Sequence, residues 1–282
     1  MPVESFLAAH DKRRKAESTA RLLLRMGHAS ACAVTVGGAL LLLAFLSGIG
    51  WILQPIASAH APRLLTAFLF VVAGTAVATI RPFRVPAVAR HMLMFVLIVA
   101  AVGLAGQILL LDFPEGASPW SVLNIGWHAA TMFVFVCGSF LVRAQGYPRS
   151  GQSLAIAGMA PPLLSMVGYA YGIDQFHGAM SPITTAIGIV FAATPFMLGA
   201  RTGFMRALAS PWNGGRYGRL QITSVAGLLF AGGLLLQMSS VNFSSYLAVY
   251  VVGSILVLTL ISGYSAIAIE RSDYARRVAG TP

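Results

Sequence analysis

GYAYGIDQFHGAMSPITTA, residues Gly168 to Ala186, separates two long apolar runs. It carries Asp174, one of only eight acidic residues in the chain, together with His177 and several Tyr, Ser and Thr. The apolar runs on either side cover residues 152–171 and 183–200. Each is close to the roughly 20 residues that take an α-helix across a bilayer. A polar connector between two such runs reads as a turn between membrane helices. The rest of the chain repeats the pattern.

The chain has 282 residues, 57% of them hydrophobic and 10% charged. Soluble domains carry about 25% charged residues, so a water-soluble globule is excluded. In lipid every backbone N–H and C=O must be bonded within its own segment, so the runs should be helices. The ~10-residue alternating segments of a membrane β-barrel are not visible. Eight spans are expected, at 29–52, 64–80, 92–111, 122–142, 152–171, 183–200, 220–239 and 246–269. Ala57-Ser58-Ala59 resembles a signal-peptide cleavage site. The run before it exceeds the 7–15 residues of a signal's apolar region, so it reads as the first span.

The formal net charge is +11, and the placement of the charges explains it. Eighteen of the 19 Lys and Arg residues fall in the N-terminal arm, the C-terminal tail or alternate connectors, and Arg63 alone lies on the other side. Basic residues collect on the cytoplasmic side of membrane proteins, so both termini should be cytoplasmic. An anionic lipid surface is then their partner, and nucleic acid is not. Arg81, Arg84, Arg201, Arg206, Arg216 and Arg219 are the candidates for contact with that surface. The leucine-rich, basic stretch 16–27 reads equally as an interfacial helix or as a helical lead-in to the first span.

The two halves look related. Ser47-Gly48-Ile49-Gly50-Trp51 and Ser165-Met166-Val167-Gly168-Tyr169 share one pattern 118 residues apart. Fifteen residues after each aromatic comes a threonine, Thr66 and Thr184. Four spans per half insert in the same direction, which predicts parallel repeats about an axis along the membrane normal. The expected fold is therefore all-α: eight transmembrane helices in two parallel four-helix repeats, with both termini inside. The basic arm takes 1–28, the halves 29–142 and 152–269, and a short tail 270–282.

No acidic residue falls inside an expected span. Intramembrane carboxylates usually mark ion or proton pathways, so coupled transport loses support. No H-E-x-x-H, G-x-S-x-G, Walker A or C-x-x-C pattern occurs, so no enzyme, catalytic residue or cofactor is expected. Asp174 and His177 with His60 are spaced too loosely to predict a metal. Cys32 and Cys137 lie in apolar runs and read as small buried side chains.

The candidate ligand-binding residues gather toward the outer side. Asn124 and His128 are four apart and share a helix face. Gln107 lies at similar depth on the preceding span. These three could form a pocket or simply bond one another between helices. Tyr171, Asp174, His177 and Thr184 complete the set. Trp51, Trp120, Trp127 and Tyr171 also suit an interfacial aromatic belt. Pro161-Pro162 should kink the fifth span, and Pro195 interrupts the sixth. Phe204, Met205 and Leu208 predict a short surface helix before the turn Pro211-Trp212-Asn213-Gly214-Gly215.

GAMSPITTAIGIVFAATPFMLGARTGFMRALASPWNGGRYGRLQ, from Gly178 to Gln221, resembles part of the multi-span sensory region of bacterial PAS-containing histidine kinases and diguanylate cyclases. Gly178, Met180 and Thr184 match its first element, and Arg201, Gly214, Gly215, Arg216 and Arg219 its loop. IAIERSDYARR looks like its charged exit helix, and Thr66-Ala67 an earlier element. Ile183 stands where that family has Asn. No kinase, cyclase or PAS sequence follows within the chain. The resemblance implies a sensory or signal-relay module of the bacterial inner membrane without catalytic output of its own. It would read a ligand or membrane state outside and pass it to a cytoplasmic signalling protein, and a homodimer is compatible. The alternatives are a small permease-like transporter and a structural subunit of a larger membrane complex.

Overall fold

The apolar runs do become helices, and the polar connectors end them. The computed structural model describes residues 3–49, 61–81, 84–109, 125–173, 180–238 and 246–279. Along these the helices are α1 (Val3–Leu46), α2 (Leu64–Ala78), α3 (Ala87–Leu109), α4 (Trp127–Ala144), α5 (Pro148–Tyr171), α6 (Pro182–Leu198), α7 (Gly203–Ala209), α8 (Asn213–Met238) and α9 (Tyr246–Ala279). One antiparallel bridge, Arg81 to Arg84, is the sole extended pairing among the described residues.

Six of these helices are long and apolar enough to cross a membrane, and a seventh crossing results if α6 and α7, bent by 83° at their junction, count as one. The protein is therefore a multi-pass helical membrane protein. The eight expected spans meet six or seven by this measure because apolarity and length part company at α2. That helix has 15 residues. It rises about 22 Å, short of the roughly 30 Å hydrocarbon layer.

The basic arm and the first span form one unbroken helix, α1. The expected short helix after Arg201 is α7, and the exit helix continues α9 without interruption. Helix α5 runs on through Pro161 and Pro162.

Exposure is inverted relative to a soluble protein. Leu228 of α8 is 76% exposed and Val102 of α3 is 66% exposed, on helices with apolar outer faces. Such faces suit lipid, where association depends on close packing and not on escape from water. Helix α2 sits at the centre, with Ala67, Leu69, Phe70, Ala73 and Ala76 fully buried between its neighbours. Phe70 (α2), Phe133 (α4) and Phe191 (α6) form a ring triad with centroids 4.9, 5.6 and 6.1 Å apart. Small residues allow α1 and α2 to cross closely. A Cβ at Gly74 would lie 2.5 Å from Thr35 Oγ1, and one at Gly38 2.9 Å from the Ala67 carbonyl.

The main core draws on α1 to α6 and the residues that join them. Helices α8 and α9 pack on each other and join this body through two smaller clusters. One is Ile156, Phe204, Ala207, Leu208 and Ala266. The other, toward the opposite end of α5, is Val167, Tyr171 and Val252.

Candidate functional site

The connectors after α2, α4 and α6 come together at one end of the bundle, with the first turns of α8 and the last of α9. That end carries the arginines. The alternation inferred from charge alone is thus a spatial fact: the basic connectors share an end.

The central feature here is the break between α6 and α7, where carbonyls are freed in an apolar setting. Three helices send side chains to them. Arg143, in the last turn of α4, donates from Nη2 to the Leu198 carbonyl at 2.7 Å. Gln152, in the first turns of α5 and 2% exposed, donates from Nε2 to the Thr202 carbonyl at 3.0 Å and to Gly199 at 3.4 Å. Its Oε1 accepts the Phe204 N–H at 2.8 Å. Arg219 of α8 donates to the carbonyls of Leu208 and Ser210, the latter at 3.0 Å, and so closes the far end of α7. Cations at helix C-termini also oppose the negative end of the helix dipole. His28 of α1 adds a link between elements, with ring nitrogens 2.8 and 2.9 Å from the Leu24 and Ile80 carbonyl oxygens.

Three clefts open at this end. The largest, about 860 Å³, lies between the α4–α5 turn, Gly203 and Arg206, and Glu270 and Arg271 of α9. The second, about 560 Å³, is bounded by Arg81, Arg84 and Arg90 on one side and Arg143 and Thr202 on the other. The third, about 320 Å³, lies between Glu17 of α1, Arg201 and Arg206, Trp212 and Glu270. Of the arginines expected at the surface, Arg81 and Arg84 line the second cleft, and Arg201 and Arg206 the third. Arg216 is exposed, while Arg219 is committed to backbone carbonyls. Among the described residues no group of three His, Cys, Asp or Glu could hold a metal. Gln152 was missed by sequence reasoning. The signal available was an amide at the edge of an apolar run.

At the opposite end, Asp174, His177 and Asn124 lie outside the described residues. The other four candidates there have structural roles. The Gln107 amide donates to the Ile125 carbonyl, tying α3 to the residue pair before α4. It does not bond His128, whose ring is 1% exposed and stacks against Trp127 at 3.7 Å between centroids. Neither nitrogen of His128 has a hydrogen-bond partner among the described residues. Thr184 belongs to the N-cap of α6: its N–H donates to Ser181 Oγ at 3.1 Å, and that hydroxyl donates to Thr184 Oγ1 at 2.9 Å. Tyr171 donates from its hydroxyl to the Phe230 carbonyl at 2.9 Å, joining α5 to α8. Tyr169 donates to the Met180 carbonyl at 2.7 Å, spanning the connector that holds Asp174. The structure thus brings no two of these candidates into direct contact. No family model matches the chain, and no curated protein and no solved structure matches it.

Proposed function

We propose that this protein is a membrane relay module without catalytic output: a stimulus at the Asp174 end shifts the α8–α9 pair, and the end of α9 presents the change to a cytoplasmic partner. The observation that carries this reading is the Tyr171–Phe230 bond. Tyr171 stands at the last turn of α5, just before the 174–179 segment, and its bond reaches the pair that ends in the exit helix. The pair meets the body at two small clusters, one at each end, so its tilt is set at few points. A ligand shifts such an equilibrium only by its differential affinity for the two arrangements. The resemblance carried by Gly178, Met180 and Thr184 and by the Arg201–Arg219 loop supports the same reading.

In this proposal α2 and the bent α6–α7 pair also cross, giving eight passages with both termini inside a bacterial inner membrane. Support comes from the shared basic end, since each of α2 and α6 must traverse the bundle to reach it. The parallel repeat draws on equivalent pairs: α1 packs on α2 as α5 does on α6, and α3 on α4 as α8 does on α9. It must also accommodate the packing of α1 on α6, which α5 and α2 do not reproduce among the described residues.

Nitroxide labels at positions 149 and 272, in protein lacking Cys32 and Cys137, test the relay in nanodiscs. Asp174→Asn with His177→Gln, and separately Tyr171→Phe, should alter the label-to-label distance distribution. Identical distributions in all three proteins would remove the basis of the reading. A second reading, transport, is favoured by the 83° break, because broken helices line many transporter sites. Solute flux into proteoliposomes with no dependence on a partner would favour it.

A further inference from the structure

The second cleft has a feature that neither relay nor packing requires. Arg81 and Arg84 exchange both backbone hydrogen bonds, with N–H to O distances of 3.0 and 3.2 Å. Residues directly opposite each other in such a bridge project their side chains on the same face, about 5 Å apart at Cβ, and like charges so placed repel. The turn therefore sets two guanidinium groups side by side. Arg90, in the first turn of α3, and the half-buried Arg143 of α4 line the same cleft. No carboxylate lines it. Ala87, the first residue of α3, is also in the wall. A helix N-terminus offers unpaired N–H groups and a partial positive charge.

Four arginines with no acid between them are stable together when an anion sits among them. Guanidinium forks bind phosphate oxygens in pairs, which fixes orientation as well as charge. The volume, about 560 Å³, falls within the roughly 300–1,000 Å³ of small-ligand sites. The cleft lies at the ends of helices that cross the membrane, at the depth of lipid headgroups. A diffuse basic surface needs neither the bridged pair nor the reach of Arg143 across from α4.

We propose that this cleft is a discrete phosphate site, held by Arg81, Arg84 and Arg90 with Arg143 at its rear wall. The phosphate belongs either to an anionic phospholipid headgroup or to a soluble phosphorylated molecule. The site stands independently of the relay reading.

The test uses the full chain. Delipidated protein is titrated with phosphatidylglycerol in phosphatidylcholine nanodiscs, with bound lipid counted by native mass spectrometry. In parallel, detergent-solubilised protein is titrated with inorganic pyrophosphate, reading the rise in Tm. Arg81→Gln with Arg84→Gln should weaken binding at least tenfold in one arm, and Arg90→Gln should weaken it severalfold in the same arm. Arg216→Gln, exposed and outside the cleft, should leave it unchanged. Loss in the lipid arm identifies a headgroup, and loss in the pyrophosphate arm identifies a soluble ligand. The proposal is overturned if Arg216→Gln costs as much as the paired variant, because the attraction is then diffuse. It is equally overturned if neither probe binds the wild-type protein. Arg90→Gln serves as the reporter if the paired variant fails to fold.

Discussion

A Cβ atom placed on Gly203 would lie 2.0 Å from Oε1 of Gln152. The two residues define the break between α6 and α7 together, since Gly203 adopts φ +58° to turn the chain and Gln152 fills the space this leaves. Gly203→Ala should therefore destabilise the protein by about 3 kcal/mol, from left-handed strain plus overpacking. Gln152→Ala should cost about 1–3 kcal/mol, because the buried Phe204 N–H loses its acceptor. In the Gln152→Ala background the cost of Gly203→Ala should shrink, since the clash is gone and only the strain remains. Unfolding in mixed micelles titrated with sodium dodecyl sulfate measures all four proteins. Additive costs would mean that the two residues do not share this space.

The aromatic triad predicts a contrast that a hydrophobicity scale does not. Phe133→Ala should cost about 3–5 kcal/mol, because a buried ring leaves a cavity. Leu228→Ala, on a lipid-facing surface, should stay within about 0.5 kcal/mol. Lipid fills the second vacancy and cannot reach the first. Thermal unfolding in one detergent compares the two, and equal losses would place Phe133 at the surface.

Two residues at the opposite end should be coupled. A Cβ on Gly233 would come within 2.2 Å of the Tyr171 hydroxyl. Gly233→Ala should displace that hydroxyl from the Phe230 carbonyl and cost about 1–2 kcal/mol. Tyr171→Phe alone should cost about 0.5–1.5 kcal/mol. Combined, the two should cost less than their sum, as neighbours in contact do. A double-mutant cycle by the same unfolding assay decides it.

The two cysteines should differ in accessibility. Cys32 is exposed on α1 and Cys137 is buried in α4, and both are free thiols. In detergent, N-ethylmaleimide should modify Cys32 well before Cys137, which should react only on unfolding. Mass spectrometry after timed quenching reads the order, and equal rates would contradict the packing of α4.

Much of this architecture was legible because charge reports topology directly. The arginines of 81–90, 143–149 and 201–219 alternate along the chain, and the connectors that carry them share one end. The polar partnerships were not legible. In water a helix displays its inward side as an apolar stripe. In lipid both sides are apolar, and the rotational phase is hidden. Gln107 was therefore aligned with His128 on depth alone, while its amide bonds the Ile125 carbonyl. Thr184 looked like a ligand contact at a helix mouth, yet Ser181 three residues before it is the cap that it serves. Gln152 stood at the start of an apolar run, and its partners Gly199, Thr202 and Phe204 lie 47 to 52 residues away. The count of spans exceeded what length supports because α2 is apolar throughout but only 15 residues long.

The division between body and pair also bears on biosynthesis. Phe191, the last ring of the aromatic triad, precedes α8 and α9 in the chain. Membrane insertion proceeds in the order of synthesis, at roughly 5–20 residues per second. All members of the triad have thus emerged several seconds before α9 is complete. The body has its own core to close during that interval, and the pair then docks onto a finished surface through Phe204 and Tyr171. The late arrivals are also the helices that bury least of themselves against the rest.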